Sequence, residues 1–254
     1  MALSLHRDLW RKVGQGVADY QMIQDGDVIA IGVSGGKDSL LLCHALARLQ
    51  KVAPISFRLQ AITLDLGWGA DWEPVRTHLA ELGVPYHVES TPTIGRAVKG
   101  EVAKGNGPCS LCGHLRRGAL YTSAKSFGAN KVALGHHRDD AIETLLMSMF
   151  YEGRSRCFKP VMFSDRQELT LIRPLIYVAE TTVKQAIEHF QLPIVKNPCP
   201  ANGETKRQEI KELLANYQQQ NPMVKENLLR TLMGMWQNSP QPTARSPQSL
   251  DDQS

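Results

Sequence analysis

The chain has 254 residues, of which 42% are hydrophobic and 21% charged, a composition ordinary for a globular protein with a sizeable core. Its net charge of +4 permits a polyanionic partner such as a nucleic acid but does not require one. No apolar run approaches the roughly 18 residues that span a bilayer, and the charged start MALSLHRDLWRKVG lacks an apolar signal core, which excludes a membrane-spanning protein and predicts a cytoplasmic one.

Apolar periodicity predicts five strands that alternate with helices along the chain. In chain order the predicted elements are a strand at 27–33, a helix at 38–50, a strand at 58–66, a helix at 71–83, a strand at 86–91, a helix at 115–128, a strand at 131–135, a helix at 139–151, a strand at 169–175 and helices at 179–190, 204–219 and 222–236. Such alternation is typical of an α/β fold with a doubly wound parallel sheet, here with extra C-terminal helices from about residue 200. Ligands of such sheets bind beyond the carboxyl ends of the strands.

The chain is predicted to form one domain over 1–236, followed by a disordered tail over 237–254. The tail is rich in Pro, Ser and Gln, has almost no large apolar residue, and carries Arg245 against Asp251 and Asp252. A segment of this composition cannot bury enough apolar surface to offset the entropy of ordering it.

The turn VSGGKDSLLL, between the first strand and the first helix, has the chemistry of an anion-binding loop. It is not the common mononucleotide P-loop, since Lys37 is followed by aspartate, and it lacks the three spaced glycines of the dinucleotide fingerprint. Gly35 and Gly36 allow positive φ, so backbone N–H groups can converge on an anion, while Lys37 and the helix N-terminus add positive charge. Because Asp38 beside a phosphate is repulsive without a cation between them, the turn predicts a Mg²⁺-bound phosphate ligand. The alternative is a plain turn capped by its own serine or aspartate.

Five cysteines, an odd number, argue against a disulfide framework and favour thiol or metal chemistry. Cys109 and Cys112 form a Cys-x-x-Cys pair just ahead of a predicted helix, where the helix dipole and two following arginines favour thiolates. Cys199 lies in VKNPCPANGETKRQ, whose prolines and glycine predict a non-helical loop able to approach a distant site. Cys43 is predicted to be a core residue and Cys157 an incidental one.

The residue types leave three roles open for these thiols. With His114 as the fourth ligand, the three thiolates could complete a zinc site. They could equally hold three irons of a [4Fe–4S] cluster, leaving one iron open to bind a sulfide. A redox dithiol formed by Cys109 and Cys112 is the third alternative.

A second polar segment, GHHRDD, follows the fourth predicted strand. Asp139 and Asp140, at the carboxyl end of this strand, could hold Mg²⁺ or cap the next helix, and capping explains one aspartate better than two. At least one of His136 and His137 is expected to contact a nucleotide or substrate.

The hexapeptide SGGKDS resembles the pyrophosphate-binding loop of the N-type ATP pyrophosphatases, the PP-loop superfamily. That superfamily has a Rossmann-like fold of the adenine nucleotide alpha hydrolase type and adenylates a substrate oxygen. The order SGGKDS, CSLCGHLRRGALY, ALGHHRDD, MFYEGR, IRPL and a late PC…RQ resembles the tRNA 2-thiocytidine synthetases over about residues 1–236. These sulfurtransferases thiolate a cytidine of the tRNA anticodon loop, at position 32.

This resemblance implies ATP as cosubstrate, Mg²⁺, a [4Fe–4S] cluster, tRNA as substrate and a cysteine desulfurase as sulfur donor; a homodimer fits such enzymes. The implied cluster ligands are Cys109, Cys112 and Cys199. The other implied residues are Ser34, Gly35, Gly36, Lys37, Asp38, Ser39, Asp65 and His136 for ATP, Asp38 and Asp140 for Mg²⁺, Lys37, Asp38, Asp140 and Arg116 for catalysis, and Arg116, Arg117, Lys206 and Arg207 for tRNA.

Other functions compete with this interpretation. A tRNA lysidine-type ligase also adenylates a cytidine but has no use for a cysteine triad. A thiolase of another base is a further alternative, although the chain lacks the flanking zinc-ribbon cysteines of the related thymidine thiolases. A non-enzymatic cluster- or zinc-carrying RNA-binding protein would share the cysteines without turning over ATP.

Overall fold

The computed structural model describes residues 2–104, 109–195 and 206–238, which form nine helices and six strands. In chain order they are α1 Ala2–Asp19, β1 Val28–Gly32, α2 Lys37–Val52, β2 Arg58–Asp65, α3 Glu73–Leu82, β3 Tyr86–Ser90, α4 Pro92–Ala103, α5 Cys109–Ser126, β4 Lys131–Ala133, α6 Arg138–Glu152, β5 Val161–Ser164, β6 Leu169–Ile172, α7 Glu180–Phe190, α8 Lys206–Gln220 and α9 Val224–Gln237.

The six strands form one sheet in the order β3-β2-β1-β4-β6-β5. All neighbouring pairs are parallel except β5 and β6, which are antiparallel. The chain winds outward from β1 to β3 and then restarts with β4 on the other side of β1. The carboxyl ends of β1 and β4 therefore flank the switch point, where open α/β sheets bind their ligands.

Both faces of the sheet are covered, as expected for strands that are apolar on both sides. Along β1, Ile29 and Ile31 point into a large core shared with α1, α2, α3 and α6 to α9. Ala30, between them, points to the opposite face, where it packs in a cluster with Leu120 and Ala124 of α5. This two-sided packing confirms the predicted doubly wound α/β fold.

Four features differ from the elements predicted by periodicity. The first helix, α1 Ala2–Asp19, was not predicted at all. The edge strand β5 is only four residues long and half exposed, so it carries no long alternating pattern. The helix α4 was not predicted, because it contains Gly95 and Gly100, which lower helix propensity. The helix α5 begins at Cys109 rather than at 115, so Cys109 and Cys112 lie in its first turn instead of ahead of it.

Two predictions fall on residues outside the described ranges. The first concerns the segment that carries Cys199. The second concerns the tail from residue 239 onward. Within the described ranges, no helix is both long enough and apolar enough to cross a membrane.

Candidate active site

The glycine turn, residues 34–39 between β1 and α2, is held by its own serines. The Ser34 amide donates to Ser39 Oγ at 3.1 Å, and Ser39 Oγ donates to the Gly36 carbonyl at 2.9 Å. Gly35 has φ of +79°, and a Cβ there would lie 2.9 Å from the Trp72 ring. The turn is therefore a fixed backbone shape that requires glycine at position 35.

Among the residues that the structure describes, no side-chain hydrogen bond caps the N-terminus of α2, whose N-cap residue is Gly36. The cap by Ser34 or Asp38 considered from the sequence is therefore not formed, although Ser34 Oγ accepts the Gly36 amide at 3.4 Å. The first-turn N–H groups of α2, together with the helix dipole, are the kind of donors that bind phosphate oxygens.

Lys37, at the start of α2, lies between two carboxylates. Its Nζ is 2.9 Å from both Asp38 oxygens and 3.6 Å from Oε1 of Glu180. Glu180, the first residue of α7, also pairs with Lys211 at 2.7 Å. Burial by itself raises the pKa of Glu180, but the ion pairs with Lys211 and Lys37 outweigh it and lower the pKa. Sequence reasoning missed Glu180, because no local motif marks it.

The segment after β4 reaches the glycine turn through a close backbone contact. A Cβ at Gly135 would lie 3.0 Å from the backbone of Asp38, so only glycine allows α2 and this segment to approach so closely. His137 follows, is 3% exposed, and lies between two aspartates: its Nε2 is 3.5 Å from Asp38 Oδ1 and its Nδ1 is 3.5 Å from Asp140 Oδ2. The buried histidine thus connects the two carboxylates predicted to bind Mg²⁺.

Asp139 and Asp140 point to different places. Asp140 accepts the His137 amide at 3.0 Å in a capping box at the start of α6, and its other oxygen pairs with Arg207 at 3.1 Å. Asp139 is buried, pairs with Lys225 of α9 at 2.7 Å, and accepts the Glu180 amide at 2.9 Å. Asp139 therefore joins α6 to α7 and α9, and Asp140 is the aspartate of the pair that faces the site.

His136 is held by Arg173 of the IRPL motif. Arg173 Nε donates to His136 Nδ1 at 3.3 Å, and the His136 ring packs on Phe158 with centroids 4.8 Å apart. Burial, followed by the charge of Arg173, lowers the pKa of His136 to about 4. The imidazole is thus neutral at pH 7, and because Nδ1 accepts a hydrogen bond, Nε2 carries the proton.

We expect this neutral histidine to make folding stability depend on pH. Its pKa is about 4 in the folded chain against 6.5 for a free imidazole, so only the unfolded chain takes up the proton between these values. Stability is fully present above pH 6.5 and falls on acidification towards pH 4, by at most about 1.4 kcal/mol per pH unit. Urea unfolding at pH 7 and pH 5 should show a steeper loss for the wild type than for His136→Asn. If the wild type and His136→Asn lose the same free energy of unfolding, His136 is not the neutral, buried imidazole described here.

A cavity of about 460 Å³ opens at the switch point of the sheet. The glycine turn contributes Ser34, Asp38 and Ser39 to its wall, and the segment after β4 contributes His136 and Asp140. Gly35, Gly36 and Lys37 complete the turn without lining this cavity. Its volume lies within the range typical of small-ligand sites.

The opposite wall of the cavity comes from α5 and α8. Gly113, Arg116 and Arg117 lie in the first turns of α5, and Arg207 lies at the start of α8. The helix that carries Cys-x-x-Cys therefore shares the cavity with the glycine turn. Cys109 and Cys112 are three residues apart at its start.

The other two described cysteines are buried or half-buried thiols. Cys43 is fully buried, and burial raises its pKa to about 12, which confirms the predicted core position. Cys157 donates to the Ala141 carbonyl, with Sγ and O 3.3 Å apart, and burial raises its pKa to about 12 as well. Neither thiol is available as a thiolate at neutral pH.

Cys112, Asp65 and Lys206 are predicted site residues that do not line this cavity. Cys112 packs against a small apolar cluster of Leu66, Ile94 and Val98. Asp65, at the end of β2, accepts the Gly67 amide at 3.0 Å and stabilises the following turn. Lys206 lies over the ring of Tyr151, with Nζ 4.5 Å from the centroid. The roles of Asp65 and Lys206 in ATP and tRNA binding stay predictions.

Comparison with known proteins identifies relatives along most of the chain. Residues 6–218 match the PP-loop domain model. The tRNA-cytidine(32) 2-sulfurtransferase of Pelobacter propionicus is 42% identical over 91% of this chain and 86% of its own length. That of Geobacter metallireducens is 42% identical over 89% of each chain, and that of Azotobacter vinelandii is 39% identical over 91% of this chain and 85% of its own.

Among solved structures, the U34-tRNA thiolase NcsA from Methanococcus maripaludis with its [4Fe-4S] cluster superposes with a TM-score of 0.73. The superposition covers 93% of this chain and 80% of the thiolase, at 23% sequence identity. At this level of identity the similarity supports the shared fold.

Proposed function

This chain belongs to the tRNA-cytidine(32) 2-sulfurtransferase family and carries the PP-loop domain, and on that premise we propose how its site carries out ATP-dependent tRNA thiolation. The protein is a tRNA sulfurtransferase that replaces the C2 oxygen of an anticodon-loop cytidine, at position 32, with sulfur. The observation that carries this proposal is the single cavity lined by both the glycine turn and the first turns of the cysteine-bearing helix α5.

The reaction needs activation because the C2 carbonyl of cytosine is a poor electrophile and its oxygen a poor leaving group. In the first step the C2 oxygen attacks the α-phosphorus of ATP, and the bond to the pyrophosphate breaks. In the second step sulfide attacks C2, and the original oxygen leaves with AMP. The oxygen lost from the base thus ends in the phosphate of AMP, so atoms balance.

The glycine turn and Lys37 would bind the leaving pyrophosphate. The uncapped N-terminus of α2 supplies backbone donors, and Lys37 exchanges its contacts with Asp38 and Glu180 for phosphate oxygens. Since Lys211 also neutralises Glu180, this carboxylate keeps an ion pair when Lys37 moves. Gly35, Gly36, Ser34 and Ser39 then shape the loop, and His136 donates a hydrogen bond from Nε2 into the nucleotide site.

Asp38 and Asp140 would hold Mg²⁺ between the protein and the phosphates. No group of three or more metal-binding side chains occurs among the residues that the structure describes. Mg²⁺ does not need such a cage, because it usually takes one or two carboxylates, waters and substrate phosphates. Two carboxylates connected through His137 fit this requirement. Asp65 is proposed as a further contact to the nucleotide.

Cys109 and Cys112, with Cys199 from the loop ahead of α8, would hold a [4Fe–4S] cluster. The support for the first two is that they begin α5, the helix whose Gly113, Arg116 and Arg117 line the cavity. When bound, the cluster supplies the sulfur atom that replaces the C2 oxygen. The protein's own part is to hold the base beside these thiolates, which makes the second step effectively intramolecular.

Arg116, Arg117 and Arg207, which line the cavity, and Lys206, beside Tyr151, would contact tRNA phosphates. An anticodon-loop base is unpaired, so moving it into the cavity costs less than extracting one from a duplex. We further propose a cysteine desulfurase as sulfur donor, a homodimer, a cytoplasmic location, and one catalytic domain over 1–236 with C-terminal helices from about residue 200.

The decisive experiment is identification of the product. Purified without air, the chain is incubated with ATP, Mg²⁺, unmodified tRNA and sulfide, and the nucleosides are analysed by mass spectrometry. We expect 2-thiocytidine, with AMP and pyrophosphate formed only when tRNA is present. Lysidine, a different thiolated base, or no turnover would each contradict the proposal.

A further inference from the structure

The end of α6 exposes two aromatic side chains, consecutive in sequence, that the proposed reaction does not use. Phe150 is 57% exposed and Tyr151 is 43% exposed, both within the MFYEGR motif. Among the described residues, the Phe150 ring contacts no other aromatic ring. We call this pair, Phe150 and Tyr151, the aromatic platform.

Tyr151 is held in place by α8. Its hydroxyl donates to Glu209 at 2.6 Å, and Lys206 Nζ lies 4.5 Å from its ring centroid. The residue after Lys206 is Arg207, which lines the cavity and pairs with Asp140. The start of α8 therefore contacts both the platform, through Lys206, and the candidate active site, through Arg207.

The segment after α6 folds back along the helix towards the site. The Arg154 amide donates to the Ser148 carbonyl, and further along Cys157 Sγ donates to the Ala141 carbonyl. Phe158 then packs on His136 at the cavity. Residues between these contacts must lie between the platform and the cavity, which are about 15 Å apart along α6 at 1.5 Å per residue.

This returning segment carries two exposed arginines, Arg154 and Arg156. No acidic side chain of the described residues forms an ion pair with either of them. Glu152, next to the platform in sequence, already accepts a hydrogen bond from Ser148. Glu209, near Lys206 in sequence, already accepts one from Tyr151. We call these arginines together with the basic residues at the start of α8 the basic strip, defined as Arg154, Arg156, Lys206 and Arg207. Of these, Arg207 is already paired with Asp140 and Glu143.

A cationic strip with flat exposed rings is complementary to one kind of partner. Unpaired nucleotides offer both a phosphate backbone for the cations and base faces for the rings. A paired stem offers phosphates but no free base face along its length. An acidic protein partner would explain the basic residues of the strip but not the exposed aromatic rings beside them.

We propose that the aromatic platform stacks on an unpaired anticodon-loop base near the base being modified, while Arg154 and Arg156 contact the phosphates between them. This inference rests on the proposed function, since it assigns the surface that holds the loop while the target base occupies the cavity. It adds Phe150, Tyr151, Arg154 and Arg156 to the residues that recognise tRNA.

The test compares binding of an anticodon stem-loop RNA with binding of a stem-only duplex of the same sequence. Phe150→Ala and Tyr151→Ala should each weaken stem-loop binding about tenfold and leave duplex binding nearly unchanged. The double variant Arg154→Ala/Arg156→Ala should weaken binding of both RNAs and lower the slope of log affinity against log salt by about two.

Matched controls are Tyr217→Ala, an exposed tyrosine about 15 Å along α8 from Arg207, and Arg58→Ala, an exposed arginine at the start of β2. ATP binding and thermal unfolding, measured on every variant, should match the wild type. Platform variants that bind the stem-loop like wild type, or that change only self-association or protein binding, overturn this inference alone. A wild type that binds no tRNA overturns both this inference and the proposed function.

Discussion

Replacing Gly35 with alanine is expected to abolish ATP-dependent pyrophosphate release and to destabilise the fold by roughly 2–4 kcal/mol. Gly35 has φ of +79°, where a side chain is strained, and its new Cβ would lie 2.9 Å from Trp72 and 3.0 Å from Val195. Val195 also donates its amide to the Gly35 carbonyl at 3.0 Å, so the turn cannot move without disturbing that contact. Loss of the fixed donors should lower turnover at least about 100-fold.

Gly36→Ala is the matched control because the neighbouring glycine has an ordinary conformation. Its φ is −76°, and a Cβ there would meet only Ser34 Oγ, at 3.4 Å. Chemical unfolding should therefore place Gly36→Ala within about 1 kcal/mol of the wild type. If the two alanine variants unfold alike, the strained turn is not what fixes the phosphate site.

Cys112→Ala is expected to remove iron from the anaerobically purified protein and to abolish thiolation, while tRNA-dependent release of pyrophosphate persists. The physical reason is that the two chemical steps use different elements of the proposed site. The glycine turn, which would activate ATP, is held by its own serines and by the Val195 amide, and these hydrogen bonds do not involve Cys112. Iron content, the visible absorption of the cluster, and product analysis measure the three effects separately.

Cys157→Ala serves as the control for this experiment. It removes a half-buried thiol whose hydrogen bond to the Ala141 carbonyl and raised pKa mark it as a protonated group. This variant should keep wild-type iron content and thiolation. A Cys112→Ala protein that still thiolates tRNA, or an active wild type that is colourless and contains zinc, would falsify the cluster assignment.

The fold was largely predictable because its signals are local. The inner parallel strands contain short apolar runs, as two-sided burial of a parallel sheet requires, and the helices between the strands have apolar residues at helical spacing. The edge strand β3, YHVES, is only partly buried. The antiparallel edge strand β5 was missed since a four-residue, half-exposed strand leaves no periodic pattern. The early start of α5 was missed because the residues at 109–114 include Gly113 and two cysteines, which are weak helix signals.

The site was predicted in part. Ser34, Asp38, Ser39, His136 and Asp140 follow strands β1 and β4, and the carboxyl ends of neighbouring parallel strands meet at one edge, so their convergence follows from the fold. The tandem aspartates show the limit of this reasoning. Their adjacent positions do not reveal that one caps α6 beside the cavity while the other joins α7 and α9.

The sequence by itself determined the chemistry of the turn, the strand–helix alternation and the Cys-x-x-Cys pair, because each depends on residues next to one another in the chain. Only the tertiary structure decided that Glu180 neutralises Lys37, that His137 connects Asp38 to Asp140, and that Arg207 closes the cavity. These contacts join residues up to 143 positions apart, as Lys37 and Glu180 are. Their formation depends on how whole helices pack on the sheet, a non-local burial of apolar surface that no short stretch of sequence encodes.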